Sequence, residues 1–325
     1  MAATAAAAVA ESQHAGTFWF PPQASTVAAA SDRLWYAIYW LSVAGFIGVV
    51  IALAFFLVRY RNKGVRPAED QTSHNTTLEL TWTILPVFLV IAMFWFGLTG
   101  YIDMRTPPRG AYEIGVTGVK WNWTFTYPNG LKTKDLHVPV DRPVRLVMTS
   151  EDVIHSFFVP AFRVKMDVVP GRYNDMWFEA TTPGNYRFTC TEYCGAKHWD
   201  MMGNVVVHER GGFESWLDQE ESQLAGASPV EKGGKLFQTL GCVACHSVDG
   251  SPGLAPTLKA AFGRQESLTD GSKIVIDENY IRESVVNPAA KVVAGFNPIM
   301  PAYQGRVSDE DLTAIIQYIK SLSKG

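Results

Sequence analysis

Two short stretches concentrate the side chains able to hold a metal or a haem. Residues 189–202, TCTEYCGAKHWDMM, place Cys190, Cys194, His198 and Met201 at offsets 0, 4, 8 and 11. Residues 242–246, CVACH, form a Cys-x-x-Cys-His run. These pairs use all four cysteines of the chain, and a histidine follows each at short range. Disulfides need no histidine at a fixed offset, whereas thiolate with imidazole suits copper, zinc or haem attachment.

Cys-x-x-Cys-His is the haem-attachment pattern, in which Cys242 and Cys245 add to the vinyl groups and His246 ligates iron. A zinc site would need further ligands, and no cysteine or histidine follows His246. Between 209 and 325 the single methionine is Met300, in NPIMPAY. A lone methionine usually fills core, yet this one is flanked by prolines and is the only soft candidate for the sixth iron position. His/Met ligation gives a comparatively high potential, suited to passing single electrons. The first motif is more ambiguous. A single blue copper uses one thiolate, two imidazoles and a weak methionine, leaving one cysteine over; zinc leaves the methionine without a role. Two coppers bridged by two thiolates use every residue, provided a second histidine arrives. His155 in SEDVIHSFFVP is the best candidate, with His137 and His208 as competitors.

The elements that must carry these motifs divide the chain. Leu34 to Val58 and Leu80 to Ile102 are uncharged apolar runs, each long enough as a helix to cross the ~30 Å hydrocarbon core. Together they predict a transmembrane hairpin over 34–102, with a loop at 59–79. Arg59, Arg61, Lys63 and Arg66 put that loop in the cytoplasm, so both termini face outward. The alanine-rich start lacks a basic n-region, which argues against a signal peptide, and 1–33 is expected as an outer tail, disordered at its beginning. From 103 to 208 short β-rich runs such as YEIGVTG, PVRLVMTS and NYRFTC alternate with turn signals, predicting an antiparallel sandwich or barrel. Residues 209–228 read as a short amphipathic helix, with Phe213, Trp216, Leu217 and Leu224 on one side, followed by a Gly/Ala/Ser/Pro linker. Helical patterning fills 229–325, where Ser308 and Asp311 resemble a helix cap before the stripe Leu312, Ile315, Ile316 and Ile319.

The 325 residues are 47 % apolar with a formal net charge of −3, enough for a membrane anchor and separate cores. No dense Lys/Arg run is interleaved with aromatics, which excludes a nucleic-acid groove.

The run from His155 to Met202 closely resembles the dicopper CuA domain of subunit II of haem–copper cytochrome c oxidases, whose pattern is His, then Cys-x-Glu-x-Cys-Gly-x-x-His-x-x-Met. Residues 229–325 resemble a class I cytochrome c, with GGKLFQTLGCVACH, NPIMPAY and LTAIIQYIKSL as its first helix, methionine loop and last helix. The combination resembles the caa type of oxidase, in which cytochrome c is fused to subunit II. The resemblance implies a multi-domain membrane protein: a two-helix hairpin, a cupredoxin-like sandwich and an all-α cytochrome c. It implies that Cys190 and Cys194 bridge the coppers, that His155 and His198 cap one each, and that Met201 and the Glu192 carbonyl are weak ligands. It further implies haem c on Cys242, Cys245, His246 and Met300, and a magnesium or manganese ion near Glu192 at the subunit I interface.

Two other roles follow from the same likeness. Trp121, in VKWNWTFTY, would lie beside CuA and pass electrons in, although Trp121, Trp123, Phe125 and Tyr127 also alternate as a packed strand face would. Glu79, in HNTTLELTWTILP, would stand at the cytoplasmic mouth of a proton path in subunit I, although an acid there also suits a helix start. The implied function is electron input to an oxygen-reducing, proton-translocating complex in a bacterial cytoplasmic membrane. Its partners would be subunit I, other oxidase subunits, lipid, and a donor such as a cytochrome c or a quinol-oxidising complex. Rival readings are a CuA-type nitric oxide reductase subunit and a free-standing membrane-anchored carrier.

Overall fold

The computed structural model describes residues 16–61 and 72–323. Residues 1–15 of the expected tail and 62–71 of the expected cytoplasmic loop, Lys63 and Arg66 included, lie outside the described residues. Helices α1 (Ala28–Arg59) and α2 (Thr76–Arg105) carry apolar windows of mean hydropathy 2.7 and 2.0, with none of either window buried. Their surface therefore belongs to lipid or to other membrane helices.

Helix α1 starts six residues before its expected apolar boundary, because the charge at Asp32 is matched. Arg163 grips Asp32 through two bonds, Nε to Oδ1 at 2.8 Å and Nη2 to Oδ2 at 2.9 Å, and both side chains are over nine-tenths buried. A bidentate, hydrogen-bonded pair is the form in which such charges can be buried. Arg163 also donates to the Pro21, Pro22 and Pro160 carbonyls and lies over the Phe20 ring. The segment before α1 thus lies along the β-rich unit, where Ala24 exchanges backbone bonds with Ala161 and Thr181. At the far end of the hairpin, the Trp177 indole donates to the Asp103 carbonyl of α2 at 3.0 Å.

The β-rich unit comprises β1 (Tyr112–Val119), β2 (Asn122–Thr126), β3 (Lys132–Thr133), β4 (Leu136–Pro139), β5 (Pro143–Ser150), β6 (His155–Val159), β7 (Val164–Val168), β8 (Asn174–Glu179), β9 (Gly184–Cys190) and β10 (Met202–His208). They form two five-stranded sheets, ordered β3-β2-β1-β5-β8 and β4-β10-β9-β6-β7. Most pairs are antiparallel, but β1–β5 and β4–β10 are parallel, so each sheet is mixed. Strand β5 buries every second residue, the period-2 signature of a strand with one face on a core. Phe125, Phe157 and Phe188 meet between the sheets at centroid distances of 5.0–5.9 Å.

Helix α3 (Gly212–Gly226) occupies the stretch expected to end as a flexible linker, leaving only Ala227 and Ser228 before α4 (Pro229–Thr239). Ser228 caps α4 in a reciprocal box with Glu231, a signal the sequence held in SPVE. The C-terminal unit adds a small hairpin of β11 (Gln265–Ser267) and β12 (Lys273–Val275), then α5 (Glu278–Val286) and α6 (Asp309–Ser321). The stripe Leu312, Ile315, Ile316 and Ile319 is buried, each side chain contributing roughly 1.5–3 kcal/mol. Helix α6 crosses α4 so closely that a Cβ on Gly233 would stand 2.0 Å from the Ala314 carbonyl oxygen. Only glycine fits that crossing.

Helix α3 is pinned by a histidine pair. The Trp216 ring stacks on His137 at 4.0 Å and 2°, and His137 Nδ1 shares a 2.9 Å hydrogen bond with His208 Nε2. Burial, and then neighbouring His208, push His137 down to about 4; burial lowers His208 as well. Asp135 and Glu220 pull His137 the other way, and Glu214 does so for His208, without prevailing. The fold therefore favours neutral rings: this stability is fully present above the ordinary imidazole pKa of 6.5 and is lost as pH falls towards about 4. Hydrogen exchange of α3 should accelerate over that window, and His137→Phe, which keeps a ring under Trp216, should flatten the dependence. Protection of α3 that ignores pH in the unaltered chain would refute the coupling.

Candidate metal and haem centres

The first site grows from strand register. Phe157 of β6 pairs with Cys190 at the end of β9, while the Cys190 amide donates to the Met201 carbonyl at 2.9 Å. The loop 191–201 is thereby closed at its base, and β6 delivers His155 beneath it. Cys190 Sγ and Cys194 Sγ lie 3.9 Å apart, both buried. That is about twice a disulfide bond length, so the two sulfurs face each other as separate thiols.

Donor atoms ring this pair. His155 Nδ1 is 3.9 Å from Cys190 Sγ, His198 Nδ1 is 3.4 Å from Cys194 Sγ, and Met201 Sδ is 3.6 Å from Cys194 Sγ. The Glu192 carbonyl oxygen accepts from Cys190 Sγ at 3.3 Å, while the Glu192 side chain is exposed. The ligand atoms of His155, Cys190 and Cys194 all fall within 4.8 Å of one another. All six residues singled out for copper therefore converge. His137 and His208, the competitors, are engaged with each other under α3.

Electrostatics and tautomers favour cations here. His155 Nε2 donates to Asp152 Oδ1 at 2.9 Å, which turns Nδ1 towards the sulfurs. Asp152, three residues before His155, was missed at the sequence level; its only signal was that spacing. The Cys190 thiol is pushed far down, foremost by the Cys194 thiol and, against burial, by His155 and the Ser156 and Glu192 backbone. Cys194 is pushed up by Cys190 and by burial. One thiolate forms readily and the second needs compensating positive charge, which suits soft metal ions bound by both sulfurs. Buried Trp121 completes the wall, its indole N–H donating to the Cys194 carbonyl at 3.2 Å. Trp123 packs edge-on against the His155 ring at 5.7 Å as well as on Phe157, while Phe125 and Tyr127 face the core and α3.

The second site is an apolar cleft lined by Cys242, Cys245, His246 and Met300 together with Phe237, Ile281 and other apolar side chains. His246 Nδ1 donates to the Pro256 carbonyl at 2.8 Å, which fixes the tautomer and leaves Nε2 as the ligating atom. Burial lowers His246 and raises Cys242 to about 12, so the site disfavours charge on either. A large, flat, apolar group with a central metal fits this donor set. Glu79 lies apart from both sites, in the first turn of α2, where its carboxylate accepts from the Asn75 amide at 3.1 Å.

Three family descriptions match successive parts of the chain. Residues 12–99 match the transmembrane domain of cytochrome c oxidase subunit II, 131–209 match its periplasmic domain, and 230–323 match cytochrome c. Cytochrome c oxidase subunit 2 of Alkalihalophilus pseudofirmus is 32 % identical over 86 % of this chain and 84 % of its own length. The chain belongs to the cytochrome c oxidase subunit II family. The subunit 2 of Cereibacter sphaeroides is 31 % identical, over 71 % of this chain and 93 % of its own. The crystal structure of the periplasmic domain from Bradyrhizobium japonicum is 32 % identical, covers 36 % of this chain and 99 % of that one, and superposes with a TM-score of 0.35. As a subunit II with a cytochrome c domain, the chain is a membrane-anchored part of a haem–copper oxidase in an electron-input role, and its family implies CuA and haem c.

Replacing Cys194 by Ser removes one of the two facing sulfurs. The near-infrared absorption of the dicopper centre should then disappear while the haem spectrum persists. A band that survives the change rules out bridging by Cys194.

Proposed function

We propose that this subunit accepts single electrons outside the membrane and delivers them inward to subunit I, for reduction of oxygen to water coupled to proton translocation. Convergence of two thiols, two imidazoles, a thioether and a carbonyl around one buried point carries this reading. Cys190 and Cys194 would bridge two coppers, with His155, His198, Met201 and the Glu192 carbonyl completing the shell. Cys242, Cys245, His246 and Met300 would hold haem c. When bound, these groups supply one-electron chemistry, from an external donor through haem c and CuA to haem a of subunit I.

The protein's own residues do the positioning. Asp152 and the Pro256 carbonyl orient the two ligating imidazoles, and the sandwich keeps water from the thiols. Trp121 is assigned as the contact through which electrons reach the copper loop, because its indole touches that loop directly. The exposed Glu192 carboxylate would join a magnesium or manganese ion at the subunit I interface. Glu79 is assigned to the mouth of a proton path, at the cytoplasmic end of α2. Arg59 in the last turn of α1 and Arg61 just beyond it support that orientation, with both termini and both redox units on the outer face of a bacterial cytoplasmic membrane. Its partners would be subunit I, other oxidase subunits, lipid and an external donor, a cytochrome c or a quinol-oxidising complex.

Rapid mixing of the purified complex with reduced donor tests the order: the haem c band should change before the copper near-infrared band bleaches. Bleaching that precedes haem c reduction overturns the scheme. Met300→His should lower the haem potential and slow the onward step. A potential equal to that of the unaltered protein would exclude Met300 as the ligand.

A further inference from the structure

The sandwich and the cytochrome unit touch at a small, chemically uniform seam. Asn122 Nδ2 donates to the Thr239 carbonyl at 2.9 Å, and Thr124 Oγ1 donates to the same oxygen at 3.2 Å. Lys132 Nζ donates to the Arg306 carbonyl at 3.2 Å, and Lys197 Nζ donates to the Ala244 carbonyl. Every donor is a sandwich side chain and every acceptor a cytochrome backbone carbonyl. Among the described residues no ion pair joins the two units directly. Thr239 ends α4, where the last carbonyls of a helix lack intrahelical partners. The sandwich satisfies one of them.

The seam lies against both redox sites. Asn122 follows Trp121, whose indole holds the Cys194 carbonyl; Lys197 precedes His198. On the other side, Gly241 precedes Cys242, and Ala244 precedes Cys245. Asn122, Thr124 and Thr239 are each at most 5 % exposed, so this contact excludes water. Gly241 is in the left-handed region at φ 80°, and a Cβ there would meet the Asn122 Cβ at 2.5 Å. Cys245 and Leu254 pack on the sandwich core. The connection is also short: α3 is pinned by Trp216, and two residues separate it from α4.

We propose that Asn122 is the positioning residue of an internal dock, seating the Cys-x-x-Cys-His turn on the copper-bearing sandwich so that transfer proceeds from a fixed pose rather than from a cytochrome swinging on its tether. The proposal rests on the reading above that haem c feeds CuA. The buried centre of this dock, Asn122 and Thr124 on one backbone carbonyl, recognises one geometry without a charged group, and a permanently attached partner does not need charge for encounter.

The test uses the intact oxidase complex carrying Asn122→Ala, Gly241→Ala, or both. Hydrogen exchange of the oxidised resting complex reports the dock, and the rate at which photoreduced haem c loses its electron to CuA reports its consequence. In each single variant the amides of 118–126 and 239–246 should exchange faster. Transfer should slow by about tenfold, as the Thr239 carbonyl loses the shorter of its two bonds across the seam and keeps only the longer one from Thr124. The copper and haem spectra should stay intact, and because the two positions lie on different units, loss of folding in one variant leaves the other to decide. Both changes break one contact, so the double variant should be no slower than the slower single. The unaltered complex should transfer at the same rate in low and high salt. Unchanged exchange or an unchanged rate in a correctly folded single variant overturns the proposal, as do effects that multiply or a rate that falls with salt. Failure of the underlying reading is distinct: the unaltered complex would reduce haem c and pass nothing to CuA.

Discussion

Two buried thiols held 3.9 Å apart, near enough to share metal ions and too far apart to bond, are the constraint that the other features serve. Left alone, such a pair resists a second negative charge and invites oxidation. The loop that carries it is tied at its base by the Cys190 amide and the Met201 carbonyl, and is walled by Trp121. The second imidazole comes from a different strand, so the loop cannot assemble the site without the sheet. This explains why a β-sandwich, with its rigid register, underlies a site that looks local in sequence.

Much of this was legible before the structure. The offsets 0, 4, 8 and 11 marked the loop that gathers the donor atoms, Cys-x-x-Cys-His marked the turn that lines the apolar cleft, and uncharged runs marked the two long apolar helices. Period-2 patterning marked the longer strands, and the last helix declared its buried stripe. Partners outside the motifs themselves were not legible: Asp152 on His155, the Pro256 carbonyl on His246, and Arg163 on Asp32. Hydrogen bonds to backbone carbonyls leave no side-chain trace at the acceptor, so the seam on Thr239 and Ala244 could not be seen from composition. The parallel β1–β5 and β4–β10 pairs were likewise invisible, because strand alternation reports which face is buried and says nothing of which neighbour is paired.

Two errors of boundary share one cause. Charge and small residues served as end markers, yet tertiary contacts override both. The apolar run begins after Arg33, yet helix α1 extends back past Asp32, because Arg163 neutralises that charge. The linker expected before 229 shrinks to Ala227 and Ser228, because α3 continues to Gly226 with Trp216 stacked on a flat ring. In each case a partner more than 70 residues away in sequence decides a local conformation.

These contacts link the levels of the molecule. Arg163 and Trp177 fasten the sandwich to the two membrane helices, so the copper loop has a fixed height above them. The His137–Trp216 stack fastens α3 to the sandwich, and the cap on α4 follows after two residues. The cytochrome unit is therefore held at both ends of one short path, by α3 behind and by Asn122 in front. A diffusing carrier must be attracted, oriented and released, and long-range charge serves all three steps. A fused carrier needs only orientation, and directional hydrogen bonds to backbone provide that without the screening that weakens surface charge pairs. The absence of ion pairs across this seam, among the described residues, is what permanent attachment allows.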